Sequence, residues 1–117
     1  MPRSTSKYLN KKVVIDGRTF DSKREALRWA GLRLMERAGV IHDLQCQVAF
    51  ELAPPVRLGA VQRQKPALRY VADFVYVDAA RGGVRVVEDV KGVVTEAFRI
   101  KLHLMKSVHG IEVRLVK

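Results

Sequence analysis

The chain has 117 residues, 48% of them hydrophobic, and carries 22 Lys and Arg against 12 Asp and Glu for a formal charge of +10. That size allows one domain with a modest core, and the charge points to a polyanion, nucleic acid ahead of an anionic membrane surface. No apolar run approaches the roughly 18 residues of a membrane span. The single Cys46 forms no internal disulfide and suits a reducing cytoplasm, and His42, His103 and His109 lack zinc-site spacing.

Residues 1–12 are polar and basic, without a signal-peptide apolar core, and read as a flexible arm that can follow a phosphate backbone. Residues 13–117 read as the one folded domain. Val13–Ile15 and Arg18–Phe20 flank Asp16-Gly17, a two-residue hairpin signal. Asp21 or Ser22 then caps a helix running to about Arg37 and closed at Gly39, with an apolar face of Leu27, Ala30, Leu34 and Ala38 beside Trp29 and Leu32. Residues 41–52 read as a strand or strand pair ended by Pro54-Pro55. Residues 56–68 are either a loop or a bent strand. Strands over about 69–77 and 84–91 form a hairpin around Gly82-Gly83, a turn and not a phosphate loop. Thr95 caps a second helix from Glu96 to about Val108, ended by Gly110, and residues 111–116 make a last strand.

The chemistry concentrates on the second hairpin. Side chains alternate along a strand, so Asp89 and Lys91 share a face while Glu88 and Val90 point the other way. Asp73 and Asp89, one on each strand, can together chelate a hard divalent cation such as Mg2+ or Mn2+, and Lys91 beside them can orient water or neutralise phosphate charge. The bland reading is a solvated hairpin face with a weak surface ion pair. Against it stands the valine-rich setting of Val71, Phe74, Val75, Val77, Val84, Val86, Val87 and Val90, which makes both faces look buried and an unpaired charge costly there. Glu25 fits a capping box with Ser22, or a third carboxylate directed from the helix toward Asp73 and Asp89.

Five segments resemble a phage-encoded family of unknown function: Lys7-Tyr8, residues 20–25, residues 39–47, Tyr70 to Phe74 and Glu88 to Gly92. The likeness continues through Thr95, Phe98, Lys101, Leu104 to Lys106 and Gly110 to Glu112, and so covers nearly the whole chain. That family looks like a minimal member of the PD-(D/E)XK nuclease superfamily, which includes restriction enzymes, phage exonucleases and junction resolvases. The resemblance implies an α/β fold, a restriction-endonuclease-like α-β-β-β-α-β core with a mixed central sheet. It implies Asp73 and Asp89 as metal-binding acids, Lys91 as the motif lysine and Glu25 as the helix acid. Ala72 stands where the superfamily's nominal proline would be, and Glu88 before Asp89 leaves a second ligand register open.

The expected activity is a Mg2+- or Mn2+-dependent endodeoxyribonuclease in the host cytoplasm, with the carbonyl of Val90 completing the metal set. No base-reading module is evident, so branched or four-way junction DNA is the expected substrate, cut by a homodimer. Basic residues expected to meet nucleic acid are Arg63, Lys65 and Arg69 before the hairpin and Arg99, Lys101 and Lys106 on the second helix, where a solvated helix face is the plain alternative. Two other functions compete: a non-catalytic DNA-binding or packaging accessory, and a nuclease for RNA or single strands.

Overall fold

The computed structural model describes residues 12–59 and 64–117. The expected basic arm lies outside them apart from Lys12, and so does Arg63. Strands β1 (Val13–Ile15) and β2 (Arg18–Phe20) form the expected hairpin, with Asp16 and Gly17 both at left-handed φ, 53° and 77°, as a tight two-residue turn requires. Helix α1 (Lys23–Arg37) starts at Ser22, whose Oγ accepts the Glu25 amide at 3.1 Å. Its stop is followed by Gly39 at φ 80°.

The buried face of α1 differs from the expected one. Leu27 and Leu34 are 61% and 64% exposed, and the helix instead buries Glu25, Ala26, Trp29 and Leu32. Two apolar stripes compete on this helix, and the one bearing the indole wins because Trp29 packs between Phe20 (centroids 5.9 Å apart) and Phe74 (6.4 Å). Leu32→Ala is therefore expected to cost about 2–5 kcal/mol and Leu34→Ala about 0.5 kcal/mol or less. Urea denaturation of the two variants checks this.

The remaining elements are β3 (Ile41–Ala53), β4 (Leu68–Asp78), a 3-10 turn (Ala79–Arg81), β5 (Val84–Val90), helix α2 (Glu96–His109) and β6 (Arg114–Val116). Thr95 caps α2 through the Phe98 amide at 3.1 Å, and Gly110 ends it at φ 70°. One four-stranded sheet has the order β3-β4-β5-β6, antiparallel across the first three and parallel between β5 and β6. Helix α2 is the crossover that a parallel pair requires. The molecule is thus a mixed α/β domain in the element order expected from the sequence. Residues 111–113 do not join the last strand, and among its described residues the segment after Pro55 carries an isolated bridge, Val56 to Lys65.

The sheet has a core on each face, and the long strands change cores midway. Leu44, Cys46, Phe74 and Tyr76 pack with Trp29 and Leu32 of α1. Val48, Phe50, Leu52, Tyr70 and Ala72 pack with Phe98 and Met105 of α2. Even-numbered side chains of one regular strand would stay on one face, so both strands must twist through between residues 46 and 48 and between 72 and 74. Gln47 does so with a left-handed φ of 54°. The expected two-sided burial of the hairpin holds for Phe74, Val75, Val86 and Val87, whereas Val71 and Val84 are 46% and 50% exposed. Val84 opens β5 beside the turn, and Val71 lies past the last residue of β4 that β5 covers.

Candidate active site

Asp73 sits where the strands part. The β4–β5 ladder runs from Asp78↔Val84 to Phe74↔Glu88 and stops, while β5 continues beside β6 from Glu88↔Arg114 to Val90↔Val116. Beyond that point the Lys91 amide donates to Val116 O at 2.9 Å, and the Val90 amide, facing the gap, donates to Asp73 Oδ2 at 2.8 Å. A side chain thus replaces the missing rung of the ladder. This fixes Asp73 against β5, with its other oxygen on the Gln47 side.

Asp89 is buried and accepts the Tyr70 hydroxyl at 2.6 Å through Oδ2, while its Oδ1 lies 3.7 Å from Lys91 Nζ. Lys91 stays partly exposed and rests over the Phe98 ring, 4.7 Å from its centroid. Burial and the neighbouring Asp89 push the Tyr70 phenol upward, so it remains a donor at any physiological pH. Glu25 reaches the same place from α1. Gln47 Nε2 donates to Glu25 Oε2 at 3.0 Å and lies 3.5 Å from Asp73 Oδ1, so one amide ties the helix acid to the strand acid.

Three carboxyl groups are crowded at one opening, and the acidity of Asp73 and Glu25 records it. Burial, then the charges of Asp89 and Glu25, push Asp73 up to about 7 against the pull of the Val90 amide. Burial first, then Asp21 and Asp89, also raise Glu25. Among the described residues no three His, Cys, Asp or Glu side chains are placed to hold a metal together. Mg2+ asks for less, commonly one or two carboxylates with the rest of its shell from water and phosphate. Asp73 and Asp89, within hydrogen-bonding reach of one another and both hard oxygen donors, fit that demand, with the Val90 carbonyl on the strand between Asp89 and Lys91.

The raised Asp73 makes a signed prediction. A carboxyl whose folded pKa exceeds its unfolded value costs nothing below the unfolded value and destabilises increasingly as pH rises through the folded one. The metal-free protein should therefore lose stability between about pH 4 and pH 7, and Asp73→Asn should flatten that loss. Millimolar Mg2+ should raise the melting temperature of the wild type at pH 8 and leave Asp73→Asn unmoved. Differential scanning fluorimetry across pH, with and without Mg2+, checks both statements.

Glu88, the other register, faces away. It is wholly buried on the α1 side, where Arg28 grips it with Nε at 2.9 Å and Nη2 at 2.6 Å and the Tyr76 hydroxyl donates to the same carboxylate. Its oxygens are engaged as a structural pair. Arg99, Lys101 and Lys106 are exposed on α2, and Arg99 lines a shallow groove with Glu96, Ile100 and His103. Lys65 and Arg69 are exposed at the far end of the β3–β4 ribbon.

Sequence reasoning missed three partners. Tyr70 and Gln47 stood out only as members of the resembling segments, with no role attached, and Arg28 not at all. An Arg one turn beyond Glu25 on the same helix was the available signal for the last. Compared with known proteins, residues 5–116 match the family model described as "Protein of unknown function (DUF1064)". No curated protein and no solved structure matches the chain.

Proposed function

The chain belongs to the DUF1064 family, and we propose that it is a divalent-metal-dependent endodeoxyribonuclease with a restriction-endonuclease-like core, acting on branched DNA as a homodimer in the host cytoplasm. One observation carries this reading: the parting of β4 from β5 that brings Asp73, Asp89, Lys91 and Glu25 to one opening. Burial and mutual repulsion raise Asp73 and Glu25, and a cation at the opening would relieve that repulsion.

A bound Mg2+ or Mn2+ would supply Lewis-acid polarisation of water and phosphate. The chain supplies the rest. Asp73, pinned by the Val90 amide, and Asp89, pinned by Tyr70, present fixed oxygens to the cation. Lys91 places an ammonium beside Asp89 and over Phe98, where it can neutralise charge growing on a phosphate oxygen. Glu25, raised in pKa by burial and tied to Asp73 through Gln47, is the carboxylate placed to accept a proton from an attacking water. The net charge of +10 gives sequence-independent affinity for the duplex that falls steeply with salt.

The test is a labelled panel of four-way junction, flap, single-stranded and linear duplex DNA, each with Mg2+, Mn2+ or EDTA, beside Asp89→Asn. Metal-dependent cutting of a branched substrate that disappears in the variant is the expected result. Binding without cutting in either metal would move the protein to the accessory class, and cutting confined to single strands would replace the branched substrate.

A further inference from the structure

Beside the carboxylates lies an open cleft of about 710 Å3 lined by Ser22, Lys23, Arg24 and Leu27 of the α1 start and by Val90, Gly92 and Val93 after β5. Its chemistry is mixed in a particular way. Lys23 and Arg24 are exposed cations with no hydrogen bond or ion pair among the described residues. Leu27 and Val93 add apolar surface that is 61% and 77% exposed, without a covering element. Arg24 reaches across the cleft: its Nη1 would lie 2.8 Å from a Cβ placed on Gly92, so the guanidinium hangs over the residue that follows Lys91. The site's own Val90 forms one wall.

Neither purely basic nor purely apolar, such a surface matches the alternating chemistry of a nucleic-acid strand, phosphates for the cations and sugar or base faces for the side chains of Leu27 and Val93. We propose that this cleft is the track of the substrate strand next to the scissile phosphate, with Lys23 and Arg24 holding the adjacent phosphates. The proposal rests on the nuclease reading for the position of the scissile bond. It also explains why two cations sit unneutralised within one turn of Glu25: they hold the phosphates of a strand whose next phosphate reaches the opening beside Val90.

Fluorescence anisotropy with labelled duplex and four-way junction in EDTA tests the cleft without requiring chemistry. Lys23→Ala/Arg24→Ala should bind roughly tenfold more weakly and lower the slope of log K against log salt by about 1.5 to 2, one unit for each lost phosphate contact. Arg37→Ala/Arg81→Ala, in the last turn of α1 and in the 3-10 turn after β4, serves as the charge-matched control and should fall by less. In cleavage assays the cleft variant should lose kcat/KM through KM, with kcat at saturation within about threefold. A photo-crosslinking residue at Val93 should join the cut strand within about three nucleotides of the break. Wild-type affinity and slope in Lys23→Ala/Arg24→Ala, or a charge loss matched by the control, would overturn the proposal. If the wild type cuts nothing while the cleft variant still binds more weakly than the control, the nuclease reading fails and the strand track stands.

Discussion

Lys91→Ala is expected to lower metal-dependent cleavage by about 10²- to 10³-fold while DNA affinity moves by less than about twofold. The reason lies in where the ammonium sits. Lys91 is 3.7 Å from Asp89 and packed over Phe98, so its charge is held at the opening of the strands and adds little to the polyanion affinity of a chain with twenty-one other Lys and Arg residues. Removing it leaves the carboxylates and their braces in place, and the Mg2+-induced rise in melting temperature should persist. Single-turnover cleavage with saturating protein, paired with anisotropy in EDTA, separates the two effects. Cleavage equal to wild type would remove Lys91 from the site, and affinity lost in step with cleavage would make it a binding residue only.

The second large effect concerns folding. Arg28→Ala should destabilise the protein by about 3–5 kcal/mol, because it strands the wholly buried Glu88 carboxylate with only the Tyr76 hydroxyl to satisfy it. For a domain of this size that is a fall of roughly 15 °C in melting temperature. Exchanging the whole network for apolar groups, as Arg28→Met/Tyr76→Phe/Glu88→Leu, should recover most of the loss, since paired buried charges are costly to break but add little over a well-packed apolar cluster. Asp89 faces the opposite layer, so the triple variant should retain its Mg2+ response. A triple variant as unstable as Arg28→Ala would show that the network itself, rather than the stranded charge, holds β5 to α1.

The two predictions meet on β5, where adjacent residues do opposite work. Glu88 anchors the strand to one core and Asp89 serves the opening on the other face, a division set by the two-residue period of a strand. That alternation was readable from Glu88-Asp89-Val90-Lys91 without coordinates. Which of the two acids would be sealed was not, because the answer depends on Arg28 and Tyr76, sixty and twelve residues away in sequence. The same distinction runs through α1. Its limits followed from Ser22 and Gly39, whose effects are local, whereas its buried face followed from Phe20 and Phe74, which no helical period contains.

Sequence by itself determined the element order, the Asp16-Gly17 hairpin, the caps of both helices and the shared face of Asp89 and Lys91. Each depends on neighbours within a few residues, through φ preference, capping hydrogen bonds or strand alternation. Tertiary structure decided the rest. The left-handed turn of β3 at Gln47 carries the β3–β4 ribbon from one core to the other, and only the ending of the β4–β5 ladder lets the Val90 amide take Asp73. The gathering of Glu25, Gln47, Tyr70, Asp73 and Asp89 is a consequence of where strands separate. Local propensity cannot encode that position, because it is set by where β4 stops pairing along one edge of β5 while β6 continues along the other.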